Sequence, residues 1–306
     1  MCGGVAIILD FFEENNQFKN QDDSMAFRFV CNSLSFQIDY EVVDKVKGYF
    51  PHIGVTAREG ICVLYRVAGD NNWFNINSYA NVSPINITMS HFVEKDEQYE
   101  IIIFGPIIGK LSKLQVIISD DAEGSIINPN PNRNMVVAGG FNSFGIGCTT
   151  TGCMFSNILE RKFNANVSHV TFNTLNYLEN VCHYYKKGVP PVVDVGILEL
   201  DNYTQHESLV EEVLPDVIRF MKLRCKHLIG WYSISDSKDF KKIIANNTIK
   251  DFIYNKDLEV LDLSYLHDDE HKEMCTFSDV YINDTGNIMI YKELEECIRR
   301  VTKWNI

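Results

Sequence analysis

A segment rich in asparagine and proline, residues 127–134 (INPNPNRN), divides the sequence into two stretches of different pattern. Before it come short β-branched or aromatic runs separated by Asn, Asp, Gly and Pro clusters, at residues 27–31, 60–67, 73–77, 99–104 and 114–118. After it, strand-like runs alternate with stretches of helical spacing. Because such a segment continues neither a strand nor a helix, it is the clearest linker in the sequence. We therefore predict two domains, residues 1–127 and 135–306.

The patterns also predict the fold class of each domain. Strands at that spacing, without helical periodicity between them, are typical of a β-sandwich or jelly roll. In the second domain we predict strands at residues 135–138, 167–172, 191–198, 228–232 and 258–263, and helices at 154–163, 208–222 and 287–303. This alternation predicts a parallel sheet flanked by helices, so the fold class is α/β. Ligands bind beyond the carboxyl ends of such strands, so we expect informative residues just after Ala138, Phe172 and Leu198.

The overall composition excludes several classes of partner. A formal net charge of −13 argues against nucleic acid or an anionic membrane, because both need clustered Lys and Arg. The apolar stretch at residues 99–118 is interrupted by Gly105, Pro106 and Gly109, so it does not predict a membrane helix. We recognise no secretory signal, and we expect the nine cysteines to be reduced and mostly buried. The expectation is a cytoplasmic protein without a cofactor, whose oligomeric state the sequence leaves open.

Two blocks of the second domain resemble a known family. Residues 136–145 (VVAGGFNSFG), followed by Gly152 and residues 157–161 (NILER), resemble the first block of SGNH (GDSL-type) hydrolases. The likeness is to the branch that carries an N-terminal jelly roll and includes carbohydrate esterases. Residues 276–286 (TFSDVYINDTG) resemble the last block of that family, Asp-Gly-x-His-Pro-Asn-Asp-x-Gly. The resemblance implies a jelly roll followed by a flavodoxin-like sheet.

The residues that would perform serine hydrolysis are replaced in these blocks. In the family a Ser attacks an ester carbonyl, a His takes its proton and an Asp holds the His. The nucleophile position is Phe141 here, the His position is Tyr281 and the Asp position is Ser278. Shifting the last block by one residue places Ile282 at the His and Asp279 at the Asp, which still supplies no base. The resemblance therefore implies a degenerate hydrolase.

The intermediate blocks are also altered. Residues 171–175 (TFNTL) stand where the family has Gly-x-Ser-Gly-Asn, so the glycine oxyanion donor is lost, and Asn202 alone keeps the residue type of the third block. We predict a former active-site cleft lined by Phe141, Asn173, Thr174, Asn202, Ser278 and Tyr281.

Two residues near the altered turn are candidates for a relocated nucleophile. Ser143 lies two residues after Phe141, but no histidine falls in a block that reaches it, and a helix N-cap is the alternative role. Cys148 lies beside the same turn, where a helix N-terminus can lower the pKa of a thiol. The alternative is a small buried cysteine in a glycine-rich turn.

Three further patterns have two interpretations each. Glu199 and Asp201, at the end of a strand, are either paired acids facing the cleft or surface residues. His267, His271 and Cys275 share one face if the segment is helical, which fits a zinc site, but the polar surroundings favour a solvated charged segment and no metal. Residues 1–4 (MCGG) resemble the nucleophile start of glutamine amidotransferases or simply lead into the first strand.

These observations predict a non-hydrolytic binding or assembly subunit that holds a small molecule or a partner protein in the former cleft. The alternative is an esterase or acyltransferase that acts on an acylated carbohydrate or a natural-product intermediate through Ser143 or Cys148.

Overall fold

The computed structural model describes residues 6–12, 26–45, 52–119, 121–188, 190–201, 207–233 and 247–305, with the backbone alone for 207–211 and 247–248. Residues 1–4 and Asn202 lie outside the described residues. The chain divides into two compact units: an N-terminal unit of Met1–Pro129 with Thr149–Gly152, and a C-terminal unit of Asn130–Cys148 with Cys153–Ile306. That residues 1–127 and 135–306 are the domains stays a prediction.

The N-terminal unit is built from antiparallel strands. They are β1 (Ile7–Asp10), β2 (Ala26–Cys31), β3 (Ser35–Val43), β4 (Gly60–Val67), β5 (Phe74–Ala80), β6 (Ile85–Thr88), β7 (Tyr99–Phe104), β8 (Lys110–Ile118) and β9 (Gly124–Ile126), with helix α1 (Val55–Glu59) before β4. One sheet has the order β1-β8-β3-β6, and the other has the order β5-β4-β7-β2-β9.

The two antiparallel sheets share one apolar core. Along β3, buried Phe36, Ile38 and Tyr40 alternate with more exposed residues, as expected of a strand with one face in the core. Phe29 of β2 meets Phe36 of β3 edge to face, with ring centroids 5.4 Å apart, so the contact joins the two sheets. The predicted β-sandwich is confirmed, and its assignment as a jelly roll stays a prediction.

The C-terminal unit contains a parallel sheet with helices on both faces. Its strands are β10 (Asn134–Gly139), β11 (Asn166–Thr171), β12 (Val193–Glu199), β13 (Cys225–Tyr232) and β14 (Glu259–Asp262), followed by the hairpin strands β15 (Thr276–Phe277) and β16 (Tyr281–Ile282). The helices are α2 (Phe141–Phe144), α3 (Phe155–Phe163), α4 (Tyr177–Lys187), α5 (Glu207–Lys222), α6 (Asn247–Tyr254), α7 (Lys272–Cys275) and α8 (Asp284–Thr302), with 3-10 turns at Thr151–Cys153 and Ser264–His267.

Alternate residues of β10 point into two different cores. Val136 and Ala138 pack with α4 and α5, whereas Met135 and Val137 pack with α3 and α8. A strand covered on both faces is apolar throughout, which explains the continuous apolar run of this strand. No helix among the described residues is long and apolar enough to cross a membrane.

The strand order locates the functional edge of the sheet. The order is β11-β10-β12-β13-β14, so the chain leaves β10 toward one side for β11 and returns on the other side for β12. This is the flavodoxin-like order, and its switch point lies between the first and third strands. The carboxyl ends of β10 and β12, at Gly139 and Glu199, therefore meet where ligands bind in such sheets.

Candidate cleft site

The turn that follows β10 is tightly packed against the end of β12. A Cβ atom added to Gly139 would lie 2.5 Å from Ser143 Oγ and 2.6 Å from Glu199 Oε2. Glycine is therefore required at 139 by close approach rather than by its backbone angles. This packing brings the main-chain N–H groups of the turn to the Glu199 side chain.

Glu199 is fully buried, and its carboxylate is held by main-chain donors. The Gly140 and Ser143 N–H groups donate to Oε2 at 2.9 and 2.8 Å, and the Asn142 N–H group donates to Oε1 at 3.4 Å. Hydrogen bonds from oriented amides replace the hydration that a carboxylate loses on burial. The turn after β10 thus binds an anion, and this anion is a side chain of the same chain.

Asp201 is the second buried acid of this edge, with 2% of its surface exposed. The Ser233 N–H group, the Ser233 hydroxyl and the Asn142 side-chain amide donate to it at 2.7, 2.8 and 3.2 Å. Ser233 directly follows β13, so Asp201 connects the ends of three neighbouring strands. The surface role considered for Glu199 and Asp201 is wrong, because both side chains are buried and hydrogen bonded.

Tyr177 closes this network from helix α4. Its hydroxyl lies 2.8 Å from the Glu199 carbonyl oxygen and 2.9 Å from that of Asp201, so it donates to the main chain on either side of Leu200. Burial, followed by the charges of Glu199 and Asp201, raises the pKa of Tyr177 well above its usual value. The hydroxyl therefore stays protonated and remains a donor.

Asn142 links the turn to the hairpin that contains Tyr281. Its amide oxygen accepts the Ile282 N–H group at 3.0 Å while its amide nitrogen donates to Asp201. Phe141 and Tyr281 then meet edge to face, with centroids 6.1 Å apart and an interplanar angle of 88°. Both rings are partly exposed. That this aromatic pair occupies the positions of the family's nucleophile and histidine stays a prediction.

The other predicted cleft residues are more peripheral. Asn173 and Thr174 are exposed in the turn after β11, and Thr174 Oγ1 accepts a hydrogen bond from Asn180 at 3.1 Å. Ser278 is exposed in the hairpin turn with a φ of 56°. That these residues line a ligand cleft stays a prediction.

Neither candidate nucleophile has the surroundings that catalysis requires. Ser143 is fully buried, and within the described part of the chain its Oγ atom has no hydrogen-bond partner. It is not the N-cap of α2 either, because Gly140 occupies that position. Cys148 is fully buried and lies 3.4 Å from the Asn287 side-chain amide. Burial, with smaller effects from Asp284 and Cys153, raises the pKa of its thiol, which favours the buried-cysteine interpretation over a reactive thiolate. The catalytic roles of Ser143 and Cys148 stay predictions.

The residues of the predicted zinc motif separate in the structure. His267 ends the 3-10 turn, His271 precedes α7, and Cys275 ends that helix as a buried residue. His271 Nδ1 instead pairs with Asp268 at 2.8 Å. No group of three or more His, Cys, Asp or Glu is placed to hold a metal ion, as far as the described ranges extend.

His267, which the sequence indicates only as part of the zinc motif, is influenced by Asp201 in the structure. Burial lowers the pKa of its ring, against opposing effects from the Asp201 charge and from the carbonyl and carboxylate of Asp279. The ring is therefore neutral at pH 7. Only the tertiary structure brings it under the influence of Asp201, since it belongs to none of the blocks that resemble the family.

Comparisons with known proteins agree on the fold. No family profile matches the sequence, and no curated protein matches it. Among solved structures, a protein described as a GDSL-like lipase from Bacteroides ovatus ATCC 8483 has a TM-score of 0.68 and 16% identity, covering 92% of this chain and 85% of its own. A family two carbohydrate esterase from Cellvibrio japonicus has a TM-score of 0.62 and 11% identity, covering 99% of both chains.

The salicylyl-acyltransferase SsfX3 from a tetracycline biosynthetic pathway is also similar, with a TM-score of 0.60 and 10% identity over 92% of this chain and 84% of its own. At these identities the likeness shows the fold alone. The chain has an SGNH (GDSL-type) hydrolase-like fold with a β-rich N-terminal part.

Proposed function

We propose that this protein is a non-hydrolytic binding or assembly subunit that uses the former active-site edge of an SGNH-like fold. The observation that carries the proposal is the Glu199 carboxylate on the main-chain N–H groups of Gly140 and Ser143. It would hold a small molecule or a partner protein at this edge.

The position of Glu199 opposes the chemistry of ester hydrolysis. A serine hydrolase stabilises the oxyanion of its tetrahedral intermediate with preorganised N–H groups beside the nucleophile. The N–H groups of this turn already bind a negative charge. An oxyanion that developed at this turn would compete with the Glu199 carboxylate, which is buried away from water. The turn is therefore unsuited to lower the activation barrier of ester hydrolysis.

The nucleophile and base are also unsuited to hydrolysis. Phe141 has no nucleophilic atom, and the side chains of Ser143 and Cys148 are fully buried. In a serine hydrolase the nucleophile and its base normally lie within hydrogen-bond reach of each other. The Nε2 atom of His267 makes no such contact with a described residue.

The proposal is tested by esterase assay and active-site labelling of the whole chain. We expect 4-nitrophenyl acetate to be hydrolysed no faster than in buffer, and a fluorophosphonate probe to leave no adduct detectable by mass spectrometry. The matched variants are Ser143→Ala and Cys148→Ala. Turnover well above buffer in the wild type that disappears in either variant would overturn the proposal. Phe141→Ser alone should remain inactive, because Glu199 still occupies the amide donors.

The alternative function is an esterase or acyltransferase with a relocated nucleophile. The fold likeness to a salicylyl-acyltransferase and to a carbohydrate esterase favours it, as does the neutral ring of His267 near Asp201. It requires Ser143 or Cys148 to become accessible. Labelling of either residue by the fluorophosphonate or by iodoacetamide in the folded protein would favour this alternative over a binding role.

A further inference from the structure

The hairpin β15–β16 buries one face and exposes the other. Phe277 lies directly opposite Tyr281, and Thr276 lies directly opposite Ile282. The side chains of a directly opposed pair project to the same face of a hairpin, and neighbouring pairs project to alternate faces. Ile282 is fully buried in the core with α3 and α8, whereas Phe277 is 43% exposed. The Phe277–Tyr281 pair therefore forms the outer face.

This outer face continues onto the turn after β10. The Tyr281 ring meets the Phe141 ring edge to face with centroids 6.1 Å apart, and both rings are partly exposed. Val280, in the hairpin turn, adds a further apolar side chain that is 41% exposed. Contiguous exposed apolar side chains with a polar rim mark interaction sites, whereas scattered ones do not. The hairpin face is defined here as Phe141, Phe277 and Tyr281.

Hydrogen bonds and close packing hold the hairpin face in place. The Asn283 N–H group donates to the Cys275 carbonyl at 2.9 Å, and the Asn283 side-chain amide donates to the Met274 carbonyl at 2.8 Å. A Cβ atom added to Gly147 would lie 3.3 Å from Tyr281 Cβ, so β16 packs directly on the glycine-rich turn. A surface that is already ordered loses less conformational entropy when a partner binds.

The rim of the hairpin face is acidic. Residues 268–284 contain six acids and one lysine, and that lysine, Lys272, is paired with Asp269 at 2.8 Å. Asp279 lies in the hairpin turn and Glu273 lies in α7, and both are exposed. Neither forms an ion pair within the described part of the chain. Exposed carboxylates of this kind attract the Lys and Arg side chains of a partner.

The same charges decide between the possible occupants. A second copy would bring this acidic segment against itself, and the whole chain has a formal net charge of −13. Anionic lipid and nucleic acid would be repelled for the same reason. Exposed aromatic rings offer a large contact area to apolar side chains and attract cations to their faces. A protein segment in which apolar and basic side chains are neighbours is complementary to both features.

We propose that the hairpin face is a docking surface for a partner protein that presents Lys or Arg beside apolar side chains. The apolar side chains pack on Phe277 and Tyr281, and the basic groups pair with Glu273 and Asp279. The proposal rests on the proposed function, because it takes this edge to hold a partner protein rather than an ester substrate.

Calorimetric titration of the whole chain with three synthetic peptides of equal length tests this surface. The peptides are repeats of Lys-Leu-Leu-Lys, of Lys-Ser-Ser-Lys and of Glu-Leu-Leu-Glu, at physiological ionic strength. We expect the first to bind saturably, with a dissociation constant at least tenfold lower than that of either other peptide, because it alone offers apolar and basic groups together. No saturable binding of the first peptide, or equal binding of the acidic one, would overturn the proposal.

A pair of aromatic variants locates the binding. Phe277→Ser should weaken the Lys-Leu-Leu-Lys peptide at least fivefold. Tyr254→Ser, which removes a more exposed ring on α6, is the control and should leave the affinity unchanged. Melting temperatures close to the wild type establish that both variants are folded. Unchanged affinity in Phe277→Ser, or an equal loss in both variants, would show that the peptide binds elsewhere and would overturn the hairpin face as its site.

A pair of double variants tests the acidic rim. Glu273→Gln combined with Asp279→Asn should weaken the same peptide at least threefold, and asparagine tolerates the φ of 61° at position 279. Glu293→Gln combined with Glu296→Gln removes the same number of exposed charges from α8 and is the control. Equal weakening by the two double variants would mean that overall charge alone attracts the peptide, which contradicts a specific rim.

Two further measurements separate this surface from the alternatives. A concentration-dependent dimer in sedimentation velocity that Phe277→Ser disperses would make the hairpin face a self-association surface and overturn the proposal. Without peptide binding and without ester turnover, the docking surface is wrong and the non-hydrolytic role stands. Ester turnover that is lost in Ser143→Ala overturns the proposed function, and the docking surface then depends on the peptide titration alone.

Discussion

Glu199 and Asp201 are carboxylates buried two positions apart, and burying a charge costs several kcal/mol unless other groups replace its hydration. At this edge main-chain and side-chain donors do so. Hydrogen bonds to a charged acceptor are shorter and stronger than those between neutral groups, which matches the distances of 2.7–2.9 Å from Gly140, Ser143 and Ser233. The acids are therefore part of the fold of this edge rather than solvated residues.

Glu199→Gln tests how much this carboxylate contributes to stability. The amide places an NH2 group or a weaker acceptor opposite the donors of Gly140 and Ser143. We expect the free energy of unfolding to fall by about 2–4 kcal/mol, measured by urea denaturation. The exposed Glu296→Gln on α8 is the control and should change it by less than about 0.5 kcal/mol. Equal effects of the two changes would contradict the role assigned to Glu199.

At the scale of elements, the β15–β16 hairpin organises the site. The Asn142 amide oxygen accepts a hydrogen bond from the Ile282 N–H group of this hairpin, and the Tyr281 ring meets Phe141 edge to face. The turn achieves this with two left-handed residues at 278 and 279, where glycine or asparagine would be less strained.

Ser278→Gly should therefore stabilise the protein. Glycine adopts a φ of 56° without a Cβ clash, so we expect a gain of about 0.5–1 kcal/mol in thermal or urea unfolding. Ser264→Gly, the same substitution at the start of the 3-10 turn where φ is not positive, is the control and should destabilise by a similar amount. A loss of stability in Ser278→Gly would show that the serine side chain outweighs the strain.

The elements were predictable to different degrees. Five strands of the C-terminal sheet and helices α3, α5 and α8 match the predicted segments, because each has a long apolar run or clear helical spacing. Strand β3 was missed although its burial alternates, and helix α4 was missed although Tyr177, Val181 and Tyr185 recur at helical spacing. In α4 polar residues interrupt the helical spacing, whereas β3 carries the alternation of a half-buried strand without the continuous β-branched or aromatic run on which the other strands were predicted.

At the scale of the whole molecule, His169 makes the free energy of unfolding depend on pH. It lies on β11 at the edge of the parallel sheet, and burial lowers the pKa of its ring to about 4. Its Nε2 atom is buried without a hydrogen-bond partner in the described part of the chain. The folded state therefore binds the proton less well than the unfolded chain, whose histidines titrate near pH 6.5.

This difference predicts a loss of stability in acid. The contribution of His169 is fully present above about pH 6.5 and falls as the pH is lowered toward 4, because the unfolded state binds more protons in that window. We expect about 1–2 kcal/mol, less than the full linkage value, because the residue as a whole is partly exposed although its Nε2 atom is buried. His169→Gln should remove this part of the profile in urea unfolding from pH 7.5 to 4. The exposed His91→Gln should keep the wild-type profile, and identical profiles for all three proteins would contradict the assignment.

The sequence by itself determined the β-rich first part and the α/β second part, and it predicts that a hydrolase triad is replaced. Strand and helix patterns are local, and a missing Ser, His or Asp is visible in the residue types of each block. Only the tertiary structure decided that Glu199 occupies the amide donors of the turn, that Asp201 joins three strand ends, and that His267 lies near Asp201. These contacts join residues far apart in the chain, and packing rather than spacing brings them together. The same packing buries Ser143 and Cys148, the two candidate nucleophiles of the sequence analysis.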